Sequence, residues 1–324
     1  MKRKYSIDIL RIISAIAVII IHVVSSPVAN SAVEVDASLT TNLNLIHNLM
    51  NWSVPAFFMI TGYCLLRKKI CTYEYCFSHV LKYVSVLFTV GLFYALLEEV
   101  FASKTLNFSI LVQSVKNVIS GNLWDHMWFV YAIIGIYLVM PVIHTFSQQG
   151  TSNIYILTAL LFLFNILFPA IDEWLSVGAV LPFGGYLFYV CLGGAVAKIN
   201  ISNKLLCTVS FAGLLSIVWI VLGANTKEFG YNHLAVCLMA MSIFLIISKI
   251  NIKPSKLILC ISNCTWGIYL IHPFFINVAI KLLKVDVLTS QPYVRLFVFA
   301  VVISCVSFLS IYILRKIPLV KKLF

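Results

Sequence analysis

Apolar residues run through this chain in blocks of about 20, the length an α-helix needs to cross ~30 Å of hydrocarbon. The blocks do not alternate polar with apolar, so they predict helices and not the strands of a membrane barrel. Ten spans follow, at 6–27, 45–66, 77–99, 124–146, 153–170, 182–198, 205–223, 232–250, 257–280 and 293–314. Glycine and polar residues interrupt the sixth and the ninth. The expected architecture is all-α, a polytopic membrane helix bundle of about ten transmembrane helices, forming a single membrane domain over residues 1–324. Two connecting stretches are long. Residues 28–44 are polar and rich in Ser, Thr and Asn; residues 100–123 hold a weakly amphipathic segment, Phe108 to Ile119, that fits the membrane interface. A loop at 171–181 carries Asp172, Glu173 and Trp174. The first block is too long for a cleaved signal peptide and lacks a small-residue cleavage site after it. No internal repeat stands out, which argues against an inverted-repeat transporter.

Composition agrees with the pattern: 61% of residues are hydrophobic and 10% charged, against about 25% charged in soluble domains. The net charge of +12 then becomes a topology signal. With the N-terminus inside, fifteen of the 23 Lys and Arg residues fall in cytoplasmic segments and six in external ones, as the positive-inside rule requires. Both termini are therefore expected in the cytoplasm and the protein in the cell membrane, among lipids. The basic residues are spread over many short loops, so no nucleic-acid partner is implied. The nine cysteines form no C-x-x-C pair, most lie inside spans as small packing residues, and no metal site is expected. Cys71 and Cys76 fall in a predicted cytoplasmic loop, where thiols stay reduced.

The first span carries the chemistry. Arg11 and His22 stand in an apolar helix, where an ionisable group costs about 2.5–3.5 kcal/mol and usually marks a functional site. Eleven residues amount to three turns plus ~20°, so both lie on one face, ~16 Å apart along the axis. Asp8, Ser14, Ser25 and Ser26 fall within ~60° of the same line, so this face lines a bundle interior or a water-filled path and not lipid. His22 has the character of a general base, or of a helix–helix hydrogen-bonding group. Arg11 needs an anion, either Asp8 at i−3 or the phosphate of a ligand. A long ligand with an anionic head, such as acyl-coenzyme A, would span from Arg11 to His22. At the start of the fourth span, Trp124-Asp125-His126-Met127-Trp128 reads as interfacial anchors with solvated polar residues, or as a second acid/base and acceptor site using His126, Asp125 and Trp128. In the second span Pro55 and Gly62 allow a kink and close packing, and Asn48 and Asn51 at its outer end are candidates to face the cavity. His272 precedes Pro273, which predicts a distorted helix around a candidate substrate-binding histidine. His47, His79, His144 and His233, near span ends, read as solvated.

Together these pieces resemble the acyltransferase family 3 membrane proteins. The resemblance rests on Arg11 and His22, on Pro55 to Tyr63, on His126-Met-Trp-Phe129 with Val130-Tyr131 and Tyr137 to Pro141, and on Ser262 to His272, and it covers nearly the whole chain. The set from His126 to Pro141 looks most like the branch of surface-polysaccharide O-acetyltransferases that includes the enterobacterial common antigen enzyme. Thr61, Met127 and Trp266 depart mildly from the family pattern. The resemblance implies a ten-helix core, acetyl-CoA or another acyl-CoA as donor substrate with no permanently bound cofactor, and a surface glycan or lipid-linked saccharide as acceptor. It also implies that Arg11 and His22, and with them His126, are essential. The rival reading from the residues alone is a transporter or exporter whose permeation path is lined by the same polar face.

Overall fold

A computed structural model describes residues 3–31, 35–105, 107–175, 185–223 and 228–323, and no strand occurs among them. The helices, in chain order, are α1 Tyr5–Ala29, α2 Ala37–Met50, α3 Ser53–Leu65, α4 Tyr73–Ser103, α5 Phe108–Ser120 and α6 Asp125–Gln149. They continue with α7 Thr151–Asp172, α8 Gly185–Lys198, α9 Asn203–Gly223, α10 Leu234–Lys249, α11 Lys256–Leu282, α12 Pro292–Leu314 and the short α13 Pro318–Lys321. Among the described residues seven helices are long and apolar enough to cross a membrane: α1, α4, α6, α7, α9, α11 and α12. The apolar α8 and α10 are shorter, at 14 and 16 residues. The protein is an all-helical, multi-pass membrane bundle.

Most expected spans match a helix to within a few residues. The second does not. The block 45–66 is two helices, α2 and α3, parted by a turn at Asn51-Trp52. Pro55 is the reason: lacking an N–H, it cannot bond back four residues to Asn51, but it is well placed in the first turn of a new helix. The stretch 28–44 is likewise not all loop. Asp36 caps α2, its side chain accepting from the Leu39 amide at 3.0 Å. Residues 182–184 of the sixth expected span, 32–34 and 106 of the two long connections, and 176–181 of the 171–181 loop lie outside the described residues. So do the side chains of Glu173 and Trp174. The distortion expected at His272-Pro273 is displaced: α11 remains helical through Pro273 and widens into a π turn at Val278–Leu282. Similar π turns interrupt α4 at Leu87–Gly91 and α7 at Leu163–Leu167.

The described chain forms two compact units. The first joins Met1–Lys68 to Gln149–Tyr312. Here α1 packs against α2, α3, α10 and α11, and α3 against α8. The α3–α8 contact is backbone on backbone. A Cβ at Gly62 would stand 1.8 Å from the Val190 carbonyl oxygen, and one at Gly193 would stand 1.9 Å from that of Met59. Lipid supplies no hydrophobic drive between helices, so such close approach, with its dispersion contacts, is how they hold together. The second unit joins Lys69–Gln148 to Ile313–Phe324. Its α5 is the expected amphipathic helix, capped by Asn107 and ended by Gly121 at φ +76°. Its buried stripe of Ile110, Ser114, Asn117 and Val118 is turned inward, and Asn117 donates to Glu99 of α4 at 2.9 Å.

Candidate active site

Two sites along the polar face of α1 are built by the same neighbour. Near the N-terminal end, Arg11 meets Ser262 of α11; further along, the His22 ring lies 5.1 Å from that of His272. The contacts are 11 residues apart on α1 and 10 apart on α11, so the two helices run parallel and in step for ~15 Å.

At the first site one carboxylate faces several cations. Arg3 grips Asp8 with two bonds of 2.7 Å, from Nε to Oδ2 and from Nη2 to Oδ1, and the Ser262 hydroxyl donates to Oδ1 at 2.7 Å. Arg11 is held more loosely, with Nη1 3.3 Å from Asp8 Oδ1 and 3.4 Å from Ser262 Oγ. Asp8 is buried, whereas the Arg11 side chain is 29% exposed. Around them stand Arg67, which donates to the Tyr63 hydroxyl at 2.8 Å and lies 4.7 Å from its ring centre, and Lys4, 5.8 Å from the same ring. Cys64 feels both Arg11 and Arg67, which ties the two halves together. Burial and the Arg67 charge push the Lys4 ammonium below its ordinary range. Two basic side chains thus meet Asp8 and two more meet Tyr63, and four cations against one acid leave this end of the seam net positive.

At the second site His272 is fully buried and its Nδ1 lies 3.0 Å from the Ile268 carbonyl oxygen, while His22 is half-buried. Tyr269 lies 6.2 Å from His272, and Trp266 stacks on Tyr269 at 5.8 Å. His47 of α2 is within electrostatic reach of His22, and its Nε2 is 3.9 Å from Glu228. Asn51 and Asn48 hold the segment that carries Glu228 in place. Asn51 Nδ2 donates to the Phe229 carbonyl at 2.8 Å, and the Phe229 amide donates to Asn48 Oδ1 at 3.1 Å. Asn51 is 2% exposed, and both bonds are to backbone.

The structure therefore brings Arg11, His22 and His272 onto one α1–α11 seam and gives Asn51 a supporting position beside it. Sequence reasoning passed over Arg3, His47 and Glu228: His47 and Glu228 meet only across distant segments, and Arg3 stands outside the apolar block. The only local hints were Asp36, which announces the helix carrying His47, and the i,i+5 spacing of Arg3 and Asp8. The remaining candidates belong to the second unit. His126 is buried in the short turn Asp125–Met127, with its ring edge-on to Tyr94 at 5.6 Å. Tyr94 in turn stacks on Trp124 at 4.2 Å, and the Trp124 indole donates to Glu98 at 2.9 Å. Asp125 is exposed, and Trp128 packs edge-on against Phe129 at 6.0 Å. Among the described residues no group of three or more His, Cys, Asp or Glu is arranged to hold a metal ion.

Comparison with known proteins adds the context these parts require. A family model described as "Acyltransferase domain" matches residues 4–315. The chain is 25% identical over 315 residues to the protein of Bacillus subtilis (strain 168) named "Putative membrane-bound acyltransferase YfiQ", a match covering 86% of this chain and 82% of that one. No solved structure matches. With the family model spanning nearly its whole length, the chain belongs to the acyltransferase family 3 of membrane proteins.

Proposed function

We propose that this membrane acyltransferase is an O-acetyltransferase of the cell membrane, moving an acetyl group from acetyl-CoA to a hydroxyl of a cell-surface polysaccharide or its lipid-linked precursor. The observation that carries the reading is the seam between α1 and α11: a cluster of basic side chains at one end and paired imidazoles ~15 Å further along. Coenzyme A has the matching form, phosphates at one end and a thioester at the other. Arg11, held only loosely by Asp8, takes a phosphate together with Arg67. Neutral His22 accepts the proton of the acceptor hydroxyl as its oxygen attacks the thioester carbonyl. The carbon–sulfur bond breaks, coenzyme A leaves as thiolate, and the imidazolium returns the proton to it. His272, fixed by the Ile268 carbonyl, positions the His22 ring, and the buried setting limits competition from water. His126 and Asp125 are proposed to orient the acceptor, with Trp128 offering it a stacking surface. Such an acceptor is what a member of the surface-polysaccharide branch would use, and membership of that branch is part of the proposal.

The test is transfer from radiolabelled acetyl-CoA by protein in lipid nanodiscs, with a cell-envelope glycan extract of its own host as acceptor. Label should reach the glycan, and His22→Ala should lower the rate by about 10²–10⁴-fold while the protein stays folded. A folded His22→Ala protein with full activity sinks the mechanism. Absence of both coenzyme A release and transfer by the folded wild type sinks the donor assignment.

A further inference from the structure

Beyond the α1–α11 seam, a cavity of about 560 Å³ lies between the π-turned end of α11, the segment after it, and α12. Phe275, Ala279 and Leu283 form one side and Val298, Val302 and Val306 the other. Its two ionisable lining residues, Asp286 and Arg295, are both exposed and stand at the end where α11 finishes and α12 begins.

We propose that this groove binds one anionic phospholipid, its acyl chain between α11 and α12 and its phosphate at Arg295. Three features argue for that occupant. The walls are aliphatic and aromatic, so what fills them is hydrocarbon. From Arg295 to Val306 is eleven residues, ~16 Å of helix, and half of a ~30 Å hydrocarbon core is ~15 Å, so the groove is one leaflet deep. The charge at this end of the groove is cationic: between α11's π turn and the first turn of α12 the exposed basic residues are Lys281, Lys284 and the lining Arg295, against a single acid, Asp286. The Asp286 carboxylate is turned into its own loop, accepting from the Leu288 amide at 2.9 Å, the Thr289 amide at 3.3 Å and the Thr289 hydroxyl. Among the described residues the guanidinium of Arg295 uses only Nη1, 3.1 Å from the Asp286 carbonyl oxygen and 3.5 Å from Thr289 Oγ1. Its other nitrogens remain for a phosphate, the geometry guanidinium recognises best. A second groove of about 380 Å³ on the opposite side of α12, lined by Ile20, Val24, Phe297 and Val301 among others, has no charged residue in its walls and is the built-in control.

The experiment places the full-length protein in phosphatidylcholine nanodiscs containing a trace of phosphatidylglycerol with a photoactivatable acyl chain, or of phosphatidylcholine carrying the same chain. Cross-linked positions are then mapped by mass spectrometry. In the first groove phosphatidylglycerol should label about fivefold more than phosphatidylcholine, the preference expected of one basic residue near a membrane surface. Arg295→Gln should abolish the preference and Arg295→Lys should retain part of it. Ala279→Trp, which fills the groove, should remove labelling by both lipids there and leave the second groove unchanged. Equal labelling by the two lipids in the wild type overturns the proposal, as does a preference that survives Arg295→Gln. Competition by a polyisoprenyl phosphate but not by unlabelled phosphatidylglycerol also overturns it, and reassigns the groove to a lipid carrier.

Discussion

Asp8 is reached unequally by two guanidinium groups, and the inequality separates their roles. Arg3 holds the carboxylate at 2.7 Å through both nitrogens, whereas Arg11 stands at 3.3 Å. Removing Arg3 leaves a buried carboxylate short of its best partner, so Arg3→Gln should lower stability by about 1–2 kcal/mol, read as a fall in Tm in detergent. Arg11→Gln should leave Tm nearly unchanged and raise KM for acetyl-CoA about tenfold with little effect on kcat, the signature of a lost contact made equally in ground and transition states. If instead Arg11→Gln unfolds the protein and Arg3→Gln is silent, the two assignments are reversed and Arg11 is structural. The sequence singled out Arg11, His22 and Asp8 because an ionisable group in an apolar run is conspicuous by itself. It could not rank Arg3 against Arg11, since that depends on rotamers and on Ser262, 251 residues away from Arg11. His47 was passed over for the same reason: near a helix end any histidine looks solvated, and its relation to His22 and Glu228 exists only after α2 has folded back.

Among the helices, span lengths were legible because the bilayer fixes them; what lies inside a span was less so. The break at Asn51-Trp52 sits inside one mainly apolar block, where the polar Asn48, Asn51 and Ser53 and then Pro55 mark it. The π turns at 87–91, 163–167 and 278–282 have no residue signature, since they depend on how a helix accommodates its neighbours. Gly62 of α3 was legible as a packing residue and the glycines of α8 only as interruptions of a span, and which helix either met was not legible. That contact is also where the bundle should be least tolerant. Gly193→Val drives a side chain into the Met59 backbone, which unlike a side chain cannot rotate away. Such overpacking should cost about 3 kcal/mol or more. Gly135→Ala is the matched control: nothing lies within 4 Å of the added Cβ, and in a helix alanine is favoured by up to about 1 kcal/mol. Thermal unfolding followed by tryptophan fluorescence should show Gly193→Val collapsing early and Gly135→Ala melting at or above the wild type. Equal melting of the two would mean that the α3–α8 approach is not what holds these helices.

For the molecule as a whole, the decisive quantity is the orientation of α1. The chain's basic residues favour the N-terminal end of α1 on the cytoplasmic side, fifteen to six. The same end carries Arg3, Lys4, Arg11 and, through Tyr63 and Cys64, Arg67. Because α1 and α11 run parallel, the segment before α11 lies on that side and the segment joining α11 to α12 on the other. Acyl-CoA is a cytoplasmic metabolite too polar to cross the bilayer, so the cluster can bind its phosphates only if it faces inward. A membrane-impermeant maleimide should therefore label Ser290→Cys, beyond α11, in intact cells, and Asn251→Cys, before α11, only after permeabilisation, each measured above the wild-type background. The reverse result would put the basic cluster outside the cell. It would remove acyl-CoA as the donor at Arg11 while leaving the seam of imidazoles intact, so the acyl group would then have to arrive on an external, anionic carrier. Accessibility at two engineered thiols thus decides which compartment supplies the substrate, and does so without knowing the acceptor.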